Sequence, residues 1–155
     1  MRQKPTEAKG AAHVVHARGL PEIECAIDGL PPSALDWVPG PDMNSLAALA
    51  VHVAGAQRYW IGDVVGRDPS GRDRAAEFQV RGLDATALKA HLAESLAHSR
   101  GVLEGLALSD LDAVRVSPRD GRKFPVPWCL AHALEHTALH LGHMHITRQL
   151  WEQST

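Results

Sequence analysis

Two long runs of the chain carry apolar residues at intervals of three, four and seven, and only one short stretch hints at the alternation of a strand. Leu46, Leu49, Val53, Trp60 and Val64 mark the first run, and Leu88, Leu92, Leu96, Leu103 and Leu106 the second. At 3.6 residues per turn, these spacings gather each set on one face of an α-helix. Asn44 or Ser45 can cap the first helix and Asp84 the second. A further helix is expected from Val126 to Trp151 or beyond, with Pro127 in its first turn, where the missing N–H is not needed. An earlier one is expected from about Ala12 to Leu30, starting late or kinking near Pro21.

The intervening segments read as connections. Four prolines fall between Leu30 and Asn44, GRDPSGRDR covers 66–74, and SDLDAVRVSPRDGRKFPVP covers 109–127 with a turn signal at Arg119-Asp120-Gly121. Val114 to Val116 is the one suggestion of a strand. Four amphipathic helices joined by long polar connections predict an all-α, four-helix bundle. Residues 1–11 are expected to form a flexible polar tail, and residues 12–155 a single domain.

Composition narrows the function classes. The chain has 155 residues, 45% apolar and 22% charged, enough to bury a hydrophobic core without disulfides. A net charge of -2 with the signs well mixed gives no electrostatic case for nucleic acid or an anionic membrane surface. No run approaches the eighteen apolar residues of a membrane span. Cys25 and Cys129 fit neither a disulfide framework nor a CxxC motif, which makes a reducing cytoplasm the expected location.

Only the histidines depart from ordinary composition. Five of ten lie in HALEHTALHLGHMH, from His132 to His145. On a helix, His132, His136, His140 and His143 span an arc of about 80°, while His145 faces the opposite side. Cys129, Ala133 and Leu139 are expected on or beside that stripe, making the face otherwise apolar. Four neutral imidazoles on such a face each need a donor and an acceptor satisfied, which favours a functional cluster over chance accumulation.

Geometry limits what they can bind. His132 and His140 are about 12 Å apart in helix rise, too far to share one ion at Zn–N bonds of about 2.0–2.1 Å. One i, i+4 pair therefore binds at most, and a third ligand must come from another helix. His52, set among Leu, Ala and Val with the small Ala56 nearby, is the leading choice. His91 and His98 lie near charged residues and read as solvent-facing, and His13 and His16 carry no case. Cys129 reads as a small core residue.

His132-Ala-Leu-Glu135-His136 matches the H-x-x-E-H pattern of inverzincin proteases. Those enzymes take a third ligand from a glutamate many residues downstream, and the only later glutamate here is Glu152, on the same helix. Glu135 also points about 100° away from His136. The protease reading fails on geometry.

Three stretches give the chain a wider resemblance: GPDMNSLAALAVHVAGAQRYWIGDVVG, GLDATALKAHLAES and WCLAHALEHTALHLGHMHITRQLW. Spanning most of Gly40 to Trp151, they resemble the DinB-like metal-binding four-helix bundles. That superfamily includes thiol-dependent transferases and the maleylpyruvate isomerase N-terminal domain. The resemblance implies a metal triad of His52, His136 and His140, the last directly upstream of Leu141-Gly142. It also implies a divalent ion, zinc or nickel, and a homodimer. Tyr59, Trp60, His132 and His143 are expected pocket residues, with Leu49, Trp60 and Leu139 as apolar surroundings.

Three neutral imidazoles with an open position are the donor set of a catalytic rather than a closed structural site. The expected function is a metal-dependent enzyme acting on a small molecule, by transferring a low-molecular-weight thiol or by hydrolysis. The alternative is a non-catalytic, stress-associated protein that binds metal or a small molecule; a third reading makes the histidines a structural staple.

Overall fold

Ser45 begins the helix around which the others assemble, its hydroxyl accepting from the Ala48 N–H at 3.2 Å. In the computed structural model, which describes residues 21–154, this helix (α3, Leu46–Gln57) is preceded by α1 (the described residues 21–27) and a single turn, α2 (Pro32–Leu35). The expected tail and the stretch from Ala12 to Leu20 lie outside the described residues, as do His13 and His16. Beyond Gln57 the helix continues as a π-helix over Arg58–Val65, shown by the Gly66 N–H donating to the Ile61 carbonyl at 2.9 Å. Then follow a one-turn helix α4 (Arg74–Glu77), α5 (Ala85–Gly105) and a short 3-10 turn at Leu108–Asp112. A small hairpin, β1 (Val114–Val116) and β2 (Lys123–Pro125), leads into α6 (Val126–Ser154).

The described chain is all-α apart from the hairpin, and α3 packs against both α5 and α6 in a four-helix bundle. Asp84 caps α5 by accepting from the Ala87 N–H at 2.8 Å. The predicted strand at Val114–Val116 exists and pairs antiparallel with β2, Arg115 opposite Phe124. Gly121, at φ 71°, makes the turn between them. No helix among the described residues is long and apolar enough to cross a membrane.

Two buried clusters form the core. Ile23, Ile27, Leu46, Leu49, Val53, Leu88, Leu92 and Met144 make one. Trp60, Ile61, Val64, Leu103, Val126, Cys129 and Ala133 make the other. Along α6, His136 and His140 fall between Ala133 of the second cluster and Met144 of the first. The TRQLW ending has a structural use: Arg148 donates through Nη1 to the carbonyls of Cys25 at 2.8 Å and Asp28 at 3.1 Å, tying α6 to the end of α1.

One expectation about α6 fails. Leu139 is 56% exposed and does not surround the histidines. The buried seam of α6 runs through Cys129, Ala133, Thr137, Met144 and Thr147. By helical angle the histidine stripe is offset from that seam by about 60°, and Leu139 lies about 120° from it, on the far side. The histidines border the core instead of forming its centre.

Candidate metal centre

Helix α3 brings His52 to α6 by burying a polar residue that is flanked along the helix by Val51 and Val53. His52 is 3% exposed. Its Nε2 lies 3.1 Å from His136 Nε2, and its ring centroid is 4.9 Å from those of both His136 and His140. One ligand nitrogen from each of the three residues lies within 4.8 Å of the others, an arrangement that could hold a metal ion. Tetrahedral ligands at about 2.0–2.1 Å from zinc stand about 3.3 Å apart, so the closest pair is already near coordination spacing.

The carboxylate behind His52 is absent from any sequence reading. Glu77, on α4, receives the His52 Nδ1–H at 2.8 Å through Oε2. Arg72 clamps the same carboxylate, donating from Nε to Oε1 at 2.5 Å and from Nη2 to Oε2 at 2.7 Å. Burial pushes the Glu77 pKa up, but hydrogen bonds and charge from Arg72 and His52 outweigh it and hold the carboxyl below its usual value. An ionised Glu77 takes the Nδ1 proton as hydrogen bond, which leaves the His52 Nε2 lone pair directed at the triad. In the metal-free protein His136 Nε2 is then the donor to His52 Nε2.

Two features of the chain make this pair possible. Asp73 starts α4, accepting from the N–H groups of Ala75 and Ala76 at 3.0 and 3.1 Å, and so orients the turn that carries Glu77. Gly55 lies one turn beyond His52, and a Cβ there would collide with the Glu77 carboxylate. Gly55 is the small residue that clears the space for Glu77. A glycine in a helix interior costs about 1 kcal/mol relative to alanine, so its presence three residues after His52 was the available signal. Reading 66–74 as a plain polar loop hid Arg72.

The α6 members are held neutral. Burial, then the charge of His140 and its neighbours, pushes the His136 pKa down to about 3. Burial, then His52 and His143, pushes His140 down to about 4. Neutral imidazole is the form that ligates a metal. His143, itself exposed, places Nδ1 3.3 Å from His140 Nδ1, leaving the His140 Nε2 for a ligand bond.

The remaining expected pocket residues divide. Trp60 is 8% exposed and meets His132 edge-on at 4.9 Å, while Trp128 stacks on His132 at 4.7 Å with 10° between the planes. The His132 ring is 6.0 Å from that of His136, so it adjoins the triad without belonging to it. Tyr59 is buried with its hydroxyl 2.6 Å from Ser117 Oγ. A hydrogen bond from Ser117, more than any other cause, holds the Asp120 carboxyl down at about 2. Leu49 is buried in the first core cluster. His98 departs from expectation: it is half-buried, its Nε2 is 2.9 Å from Asp68 Oδ2, and its buried Nδ1 has no hydrogen-bond partner.

A family model described as the DinB superfamily matches residues 18–144. The chain belongs to the DinB superfamily. Solved structures match it in shape at low identity, which shows the shared fold alone. A conserved protein from Enterococcus faecalis aligns with a TM-score of 0.78 at 15% identity, over 94% of this chain and 97% of that one. YfiT from Bacillus subtilis, described as a probable metal-dependent hydrolase with an unusual four-helix bundle topology, aligns at 0.74 and 14% identity, over 96% and 90%. A mycothiol-dependent maleylpyruvate isomerase aligns at 0.66 and 14%, over 88% of this chain and 60% of that one. No curated protein sequence matches.

Proposed function

We propose that the chain is a metal-dependent enzyme in which His52, His136 and His140 hold a divalent ion, zinc or nickel. It would act on a small molecule, by thiol transfer or hydrolysis. The observation that carries this reading is the convergence of three imidazoles from two helices with an ionised carboxylate fixing the tautomer of the most buried one. The donor set fits such an ion: nitrogen ligands without thiolate suit zinc or nickel, and three protein ligands leave a position for water or substrate.

When bound, the ion supplies Lewis acidity and lowers the pKa of a bound water or thiol. The chain's own residues do the rest. Glu77 orients His52 and makes it more basic toward the ion, and Arg72 keeps Glu77 ionised. His136 and His140 stay unprotonated across the neutral range. Trp60 and Trp128 wall one side and hold His132 beside the triad. The description of YfiT as a probable metal-dependent hydrolase supports hydrolysis, and that of the mycothiol-dependent isomerase supports the use of a low-molecular-weight thiol.

Metal analysis of the purified protein, its His52→Ala variant and a panel of thiols and electrophiles test this together. One ion per chain, lost in the variant without unfolding, and product above the metal-free control are expected. Unchanged metal content in His52→Ala overturns the triad. Metal without turnover leaves the binding protein as the better reading.

A homodimer belongs to the same proposal. Trp128, Leu139, Ile146 and Leu150 are exposed by 42%, 56%, 52% and 38% and fall on one stripe of α6. Exposed apolar side chains sharing one face, though interrupted by His132, Glu135 and His143, support association with a second copy.

A further inference from the structure

Beside the metal centre lies a cavity of about 290 Å³, walled in part by Arg72, Arg74, Arg119 and Tyr59. Three guanidinium groups in one cleft would repel one another unless countercharges or a ligand neutralise them. The carboxylate in the lining, Asp63, is 5% exposed and already engaged: it accepts from Arg58 Nη1 at 2.7 Å and from Ser70 Oγ at 2.8 Å. Arg72 is neutralised by Glu77, though through Nε and Nη2 only, leaving its Nη1 amino group outside that pair.

The other two arginines are held by rings more than by charges. The Arg119 guanidinium lies over Tyr59 at 5.4 Å and reaches Asp120 only at 3.6 Å, with half of its side chain exposed. Asp120 is committed instead to Arg122, accepting from its Nε at 2.8 Å and its backbone N–H at 3.2 Å. Arg74 lies over Phe78 at 5.0 Å, and no ion pair involving it occurs among the described residues. Stacking fixes each fork in place while leaving its N–H edge free, which is how arginine is pre-organised for planar oxyanions. The Tyr59 hydroxyl is already paired with Ser117 Oγ at 2.6 Å.

The cleft is one side chain from the triad. Arg72 Nη2 is 3.3 Å from His52 Nδ1, and the Phe78 ring that carries Arg74 is 4.7 Å from the His52 ring. We infer that this cleft is an oxyanion subsite, in which Arg74 and Arg119 bind the carboxylate or phosphate group of a small organic substrate whose reacting end faces the metal centre. As an anion site it stands on its own; as a substrate subsite it rests on the metal-dependent reading above.

The test titrates inorganic phosphate, succinate and the neutral succinamide into the full chain by calorimetry, metal-free and zinc-loaded. Binding of phosphate or succinate, no binding of succinamide, and a loss of roughly tenfold or more in Arg74→Gln/Arg119→Gln are expected. Phosphate preferred over succinate identifies a phosphorylated substrate, and the reverse a carboxylate one. The variant should keep the zinc stoichiometry and melting temperature of the parent, since neither arginine supports Glu77. Failure of both anions to bind, or equal binding by the variant, overturns the inference. Anion binding that persists in a protein taking up no zinc would sink the metal reading and leave the anion site standing.

Discussion

His52 and Glu77 meet across 2.8 Å although 25 residues and a proline-containing loop separate them in sequence. A ligand histidine whose second nitrogen is held by a carboxylate binds metal more tightly, and loss of such a partner typically weakens binding 10–100-fold. Glu77→Gln keeps the shape and an acceptor oxygen but removes the charge. Its zinc affinity, read by competition with a chromogenic chelator, should fall by roughly 10-fold or more. An affinity equal to that of the parent would show that Glu77 serves only Arg72.

Gly55→Ala should reverse the usual ranking of helix formers. Alanine gains about 1 kcal/mol over glycine in a helix interior. Here its Cβ would collide with the Glu77 carboxylate and come within 3.2 Å of Arg72 Nε, both anchored by their mutual bonds. Overpacking of that kind costs about 1–3 kcal/mol. A net loss of stability together with weaker zinc binding is expected in thermal melts and metal titrations; a variant more stable than the parent would contradict it.

Acid should destabilise the metal-free protein well above the range where carboxylates titrate. Both His136 and His140 start from an ordinary value of 6.5 and are lowered in the fold, to about 3 and about 4. Between pH 6.5 and 4 the unfolded chain binds protons there that the folded chain does not, so stability falls as pH falls through this window. Melting temperatures measured in chelator from pH 7.5 to 4 should decline, and the decline should flatten in His136→Gln/His140→Gln. An identical slope in the double variant would remove the two histidines as its cause.

Cys129 is the opposite case, a weak acid made weaker. Burial pushes its thiol up to about 11, whereas Cys25 is exposed. Alkylation proceeds through the thiolate. At pH 8 iodoacetamide should modify one thiol per native chain, Cys25, and two after denaturation, as counted by mass spectrometry. Rapid native labelling of Cys129 would place it outside the core.

The helices were legible because burial imposes a period: Leu46, Leu49 and Val53, like Leu88 and Leu92, lie where the spacing puts them. Ser45 and Asp84 cap as their chemistry dictates. The three histidines that converge could be selected only with the family resemblance, since helix angle alone leaves several i, i+4 pairs open. Leu139 misled because an amphipathic pattern cannot say on which side of a histidine stripe the core lies. Arg72, Glu77 and the arginine cleft stayed hidden because contacts between a loop and a helix follow no sequence period. Only Gly55 left a trace of them, as a costly residue in a helix.

Leu139 also supplies the clearest test of assembly. It lies near the middle of the exposed α6 stripe, 56% exposed, with Ile146 and Leu150 on one side and Trp128 on the other. A charge placed there faces water in a monomer and costs little, because surface substitutions away from special features stay within about 0.5 kcal/mol. In a dimer packed through this stripe the same charge would be buried without a partner, which is strongly unfavourable. Leu139→Glu should therefore shift sedimentation from dimer to monomer while the circular dichroism spectrum and zinc content stay those of the parent. If the parent sediments as a monomer, or the variant remains a dimer, α6 is not the interface.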